Sequence, residues 1–226
     1  MQPTPPPSRP VAASAAQPVS RRERNRQDKI RRILGAATEL FAERGYSAVA
    51  TQEIADAADI GTGTLFRYAG SKAGLLMLVM NEQLRLGVER GITLSRNGTA
   101  PTEAILALVA PLVESGCHHP ENTAAYQRET LFGSGPEREA AAAHVARIEC
   151  AIEEILRRYV ATRGMRPGRD LGMAAHVIYS TMYMDIVRVC MGRAPADSLT
   201  NRLRRSVDYL LDTLVRPPTD RGTPPG

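Results

Sequence analysis

From Ile30 onward the apolar residues of this chain recur at spacings of three and four, and no strand-like alternation survives inspection. Ile30, Ile33, Leu34, Ala37, Leu40 and Phe41 define one stripe of a first helix, the 3.6-residue period of an amphipathic α-helix. Gly45 is placed to stop it, as a residue just past a helix end commonly does. Thr51 to Ala58 reads as a short second helix with Thr51 as its N-cap and Glu53 in its first turn. Asp59-Ile60-Gly61 makes a tight connection, Thr62 to Tyr68 a third short helix, and Ser71 caps a long fourth helix that runs to about Ser95. Longer helices follow over Thr102–Gly116, Asn122–Phe132, Pro136–Thr162, Asp170–Met191 and Asp197–Val215. The expected fold is all-α: about nine helices, three short and then six longer.

The ends differ from this pattern. Residues 1–20 are rich in proline and alanine, residues 216–226 hold four prolines, and both read as disordered tails. No run approaches the eighteen apolar residues of a membrane span, and the N-terminus has no apolar segment behind a basic one. Three scattered cysteines, Cys117, Cys150 and Cys190, cannot make a disulfide framework. These observations point to a cytoplasmic protein without a membrane partner. The net charge of +5 is unevenly spread. The stretch from Arg21 to Arg32 is crowded with Arg and Lys, which suits an arm or helix that faces a polyanion.

Two short helices joined by a tight turn fit a helix-turn-helix, in which the second helix enters the DNA major groove. Gly61-Thr62-Gly63-Thr64 gives that helix a small, polar N-terminal face that lets backbone amides approach phosphates. Arg67 is its one long donor, able to contact guanine or phosphate. Spacing alone leaves an ordinary helical hairpin equally open.

The residues themselves carry a resemblance. Ile33-Leu34-Gly35-Ala36-Ala37 through Leu40-Phe41-Ala42-Glu43-Arg44-Gly45-Tyr46, then Thr51-Gln52-Glu53-Ile54-Ala55, then Gly63-Thr64-Leu65-Phe66-Arg67-Tyr68 and Ser71-Lys72 closely resemble the N-terminal domain of TetR-family transcriptional regulators. That resemblance implies a DNA-binding domain over 21–72 and a ligand-binding and dimerisation domain over 73–215. It implies a homodimer on a palindromic double-stranded operator, usually a repressor, released when a small molecule enters the C-terminal domain. Carried over by position, Thr51 contacts phosphate with Gln52 near a base edge. Thr62, Gly63 and Thr64 face bases, Arg67 borders the groove, and Tyr68 and Lys72 clamp phosphates. Phe66 stands where the family usually has tyrosine, Ala69 where a core phenylalanine is common, and Asp59 where the turn glycine is common.

Met77, Met80, Leu84, Leu112, Tyr126, Ile148, Tyr179, Met182 and Tyr183 are candidates for the ligand pocket. Methionine and tyrosine line adaptable, mostly apolar cavities, so the expected effector is a small apolar organic molecule. Leu199, Leu203, Val207, Leu210 and Leu214 form a continuous stripe expected to meet a second copy of the chain. Cys117-His118-His119 with Glu121 invites a metal-responsive reading, although adjacent residues seldom converge on one ion. No metal or other cofactor is expected. No nucleophile elbow, P-loop or dinucleotide fingerprint is present, so an enzyme has no support. A helical protein-interaction module with a degenerate helix-turn-helix is the other rival to a ligand-released regulator.

Overall fold

Ser20 accepts a hydrogen bond from the Glu23 amide at 3.2 Å and starts a helix far earlier than the apolar stripe does. In the computed structural model, which describes residues 20–164 and 170–215, this helix is α1, Arg21–Ala48. The Arg-rich stretch is therefore the opening turns of α1 and not an arm before it, and α1 is the longest helix described rather than a short one. Arginine is a strong helix former, and Glu23–Arg26 and Arg31–Asp28 pairs lie along the surface at one-turn spacing. The expected tails lie outside the described residues, apart from Ser20. Gly45 breaks the helical geometry within α1 at φ +77°. It is buried, and a Cβ there would come within 2.8 Å of His119 Nδ1.

α2 (Thr51–Ala57) and α3 (Thr62–Ala69) follow, then α4 (Lys72–Arg96), α5 (Pro101–His118), α6 (Pro120–Phe132), α7 (Pro136–Thr162), α8 (Leu171–Cys190) and α9 (Leu199–Leu214). A short 3₁₀ turn, Ala196–Ser198, precedes α9. These are nine α-helices with no strand among the described residues. No described helix is long and apolar enough to cross a membrane. Thr51 is the first helical residue of α2, not its cap. Ala50 holds the cap position, and Glu53 reaches back to accept its amide at 2.7 Å. Ser71 does cap α4, accepting from the Gly74 amide at 2.9 Å.

One core runs from Ile33, Phe41 and Leu65 at one end to Leu156, Ile178 and Val207 at the other. α4 lies at its centre, packed on α1, α5, α6 and α7. Its closest neighbour is α5, and glycine permits the approach: a Cβ on Gly87 would sit 2.7 Å from the Leu108 carbonyl oxygen, and one on Gly91 2.6 Å from that of Ala104. Pro111 within α5 has no amide to give to the Ala107 carbonyl four residues back.

The α9 stripe corrects an expectation. Leu199, Leu203 and Val207 are at most 1% exposed within a single chain, packed in its own core, while Leu210 and Leu214 lean half-buried on that core. Periodicity says that a face is covered, not what covers it, and here α5 and α8 do so. Arg204 pairs with Glu103 of α5 at the surface, and Thr102 donates to Asp208 at 2.5 Å. In and beside α8 and α9 the large apolar side chains left exposed are Met173 and Met184 on α8, Met191 just after it, and Tyr209 on α9; elsewhere among the described residues Phe66, Leu86, Leu131 and Phe132 are exposed as well.

Candidate nucleic-acid interface and ligand cavity

α2 and α3 are held together by Ile54, Ala55 and Leu65, all buried against α1 and α4. The turn between them passes through Asp59 at φ +51°, a left-handed conformation that aspartate tolerates better than most residues. Arg32 of α1 holds that turn, pairing with the Asp59 carboxylate at 3.0 Å. Arg44 reaches from α1 to Glu53 at 2.6 Å and to the Ala48 carbonyl at 3.1 Å, so α2 is tied at its start as well. The Ala50 amide and Arg44 together hold the Glu53 carboxyl below its usual range.

The expected DNA-contact residues lie on α2, α3 and the first turn of α4. Gly63 and Arg67 are exposed, and Thr51, Thr62, Thr64, Tyr68 and Lys72 are half-buried. Gln52 is exposed but engaged: it accepts from the Thr62 hydroxyl at 2.5 Å and donates to Asp56 at 2.8 Å, which bridges α2 to α3. The Arg67 guanidinium lies 5.9 Å from the Tyr68 ring centre. Lys72 extends over the Tyr46 ring at 4.6 Å and donates to the Ser47 carbonyl at 3.4 Å. Tyr46 was not among the expected site residues; its part in holding Lys72 depends on the chain turning back after Gly45. Phe66 is exposed and Ala69 is buried. Along α1, Arg21, Arg22, Arg24 and Lys29 have no acidic partner among the described residues, which leaves a cationic edge beside this surface.

Seven of the nine pocket candidates line one cavity of ≈ 30 Å³: Leu84, Leu112, Tyr126, Ile148, Tyr179, Met182 and Tyr183. Met80 instead borders an open groove of ≈ 480 Å³ between α1, α4 and α5, and Met77 faces a surface cleft near Gly70 and Glu129. They do not share this cavity because α4 is buried around most of its circumference, so its stripe faces several neighbours. The cavity draws its walls from α4, α5, α6, α7 and α8, and no Asp, Glu, Lys or Arg lines it. Gln127 and His144 also line it, and neither was expected there. Burial lowers the His144 pKa, with Arg147 adding to the shift, so the ring is neutral near pH 7. Burial also raises the Tyr126 phenol and pushes Tyr179 up to about 12.

The Cys117, His118 and His119 side chains do not converge. Cys117 donates to the Ala196 carbonyl, His118 lies 2.8 Å from the Glu114 carbonyl, and His119 sits beside Gly45. No group of three metal-ligating side chains occurs among the described residues.

Residues 33–78 match the family described as bacterial regulatory proteins, tetR family. The chain is 28% identical over 192 residues to the HTH-type transcriptional repressor KstR of Rhodococcus jostii, covering 85% of this chain and 87% of that protein. KstR of Mycobacterium tuberculosis is 26% identical, with 82% and 81% covered. Among solved structures, Thermus thermophilus FadR, a TetR-family transcriptional repressor in complex with lauroyl-CoA, aligns with a TM-score of 0.60 at 24% identity. That alignment covers 87% of this chain and 99% of the other.

Proposed function

This chain belongs to the TetR family of bacterial transcriptional regulators, and from that premise we propose that it is a repressor that leaves its operator when an organic effector widens the buried cavity. Residues 21–72 serve as the DNA-binding unit, and 73–215 bind the effector and the second copy. The observation that carries this reading is the continuity of α4. One helix starts at Lys72, beside the recognition helix, and reaches the cavity wall at Leu84 three turns on. A ligand that displaces α4 therefore changes where α3 points. Two recognition helices must span half-sites about 34–36 Å apart, or a multiple of that, so a small tilt matters. The effector needs only a preference of a few kcal/mol for the non-binding arrangement.

The second copy docks on the outer face of α8 and α9. Met173, Met184 and Tyr209 are exposed there, and an antiparallel pair of helices meeting its twofold mate forms a four-helix bundle. Leu199, Leu203 and Val207 support that face from beneath.

Binding to DNA from upstream of the chain's own gene tests the proposal, measured by fluorescence anisotropy across a salt series. Affinity should fall steeply with salt as phosphate neutralisation releases counterions. Lys72→Ala should weaken binding equally on all sequences and reduce the salt slope by about one. Arg67→Ala should cost about 1–3 kcal/mol and relax preference at one base pair if it pairs with guanine. A protein-interaction module would show neither effect; unchanged affinity in both variants removes α3 from the mechanism.

A further inference from the structure

We propose that the cavity recognises an alcohol: an uncharged, largely apolar molecule with one buried hydroxyl that pairs with Gln127 on α6 and His144 on α7. This rests on the cavity being the effector site. The lining is apolar apart from Tyr126, Gln127, Thr130, His144, Tyr179 and Tyr183, and two of these, Thr130 and Tyr126, are already paired within the fold. The Thr130 hydroxyl donates to the Tyr126 carbonyl at 2.9 Å. The Tyr126 hydroxyl donates to Asn81 at 2.9 Å, and Asn81 in turn donates to the Glu137 carbonyl at 3.1 Å. Gln127 Oε1 and His144 Nδ1 are buried without a partner among the described residues, in side chains only 8% and 7% exposed. Such groups cost stability when unpaired, and here two of them line the same small space.

A hydroxyl carries both a donor and acceptor lone pairs. It can donate to Gln127 Oε1 while accepting from an Nδ1–H of His144. The match also survives when the amide and the tautomer are reversed together, because the hydroxyl then accepts from the amide and donates to the ring. A ketone or ether only accepts and leaves one side unmet. A carboxylate would enter a lining that holds no cation. The cavity of ≈ 30 Å³ has room for a water or two but not for an organic molecule. An alcohol with an apolar body therefore enters by moving Met182 and the half-exposed Tyr179 and Tyr183, which displaces α8, the helix that carries all three.

The test uses the full-length protein with cyclohexanol, cyclohexanone and cyclohexane as probes of matched shape. Binding is read from thermal shifts, and release of upstream DNA is read alongside. Cyclohexanol should bind about tenfold more tightly than cyclohexanone, the worth of one additional hydrogen bond, and at least that much more tightly than cyclohexane, which makes neither. In Gln127→Leu and His144→Leu that preference should shrink to within about twofold. The melting temperature without probe should hold or rise, because an unpaired polar atom has been removed. Equal binding of all three probes with DNA still released would overturn the alcohol inference and leave the effector site standing. A preference intact in both variants would also overturn it. No binding and no release with any probe would overturn the inference and the effector site together.

Discussion

Met184→Asp combined with Tyr209→Asp is expected to give a folded monomer that no longer holds operator DNA. Both side chains project from the outer face of α8 and α9, Tyr209 at 70% exposure and Met184 at 46%, and neither belongs to the buried core. In a twofold contact each substitution occurs twice, so four carboxylates would be buried without partners, at several kcal/mol each. A monomer loses the effective concentration that joins the second half-site to the first, which is worth about 10²–10⁴ in affinity. Sedimentation and circular dichroism check the result: monomer mass with unchanged helicity. Leu203→Asp is the contrast, because Leu203 is 1% exposed inside one chain and its charge should melt that chain rather than separate two. A wild-type protein that sediments as a monomer at micromolar concentration would refute the interface.

Asn122→Leu should both destabilise the protein and blunt its response to effector. Asn122 is buried near the start of α6, where Oδ1 accepts the Tyr46 amide at 2.5 Å and Nδ2 donates to the Phe41 carbonyl at 2.8 Å. It bridges the break in α1 at Gly45 to the helix that bears Tyr126, Gln127 and Thr130 in the cavity wall. Leucine would remove both hydrogen bonds, and each backbone group left without a replacement partner costs about 1–3 kcal/mol. In a chain of this size each kcal/mol lowers the melting temperature by about 2–4 °C. The effector should still bind, but operator release should need more of it. A variant with wild-type melting and a wild-type release curve would show that Asn122 carries neither load.

The helices were legible because each is written locally. Ser71 before α4, Pro136 at the start of α7 and Asp170 before α8 sit where helix starts need them. The helix-turn-helix was legible through its own short motif. Other features depend on partners distant in the chain. The α9 stripe showed a covered face without showing that α5 and α8 cover it. Met77 and Met80 belong to the same buried helix as Leu84 but face other neighbours. Tyr46 meets Lys72 only because Gly45 redirects the chain. Gln127 and His144 were not among the pocket candidates because a polar residue reads as part of a solvated face until the fold encloses it. Asp59 was visible as a departure from glycine, but only the fold shows its left-handed backbone and the Arg32 pair beside it.

The glycine seam between α4 and α5 has a further consequence. Interlocked side chains can re-seat by one notch, whereas Gly87 and Gly91 press backbone against the Leu108 and Ala104 carbonyls, leaving only the Leu108 side chain over Gly91 to adjust. α4 and α5 must turn as one lever, with the movement taken up at α1 and α6. Amide hydrogen exchange should bear the imprint. The amides around Gly87 and Gly91 would exchange only when the whole chain unfolds, and those at the start of α6 would exchange through local opening that effector binding alters.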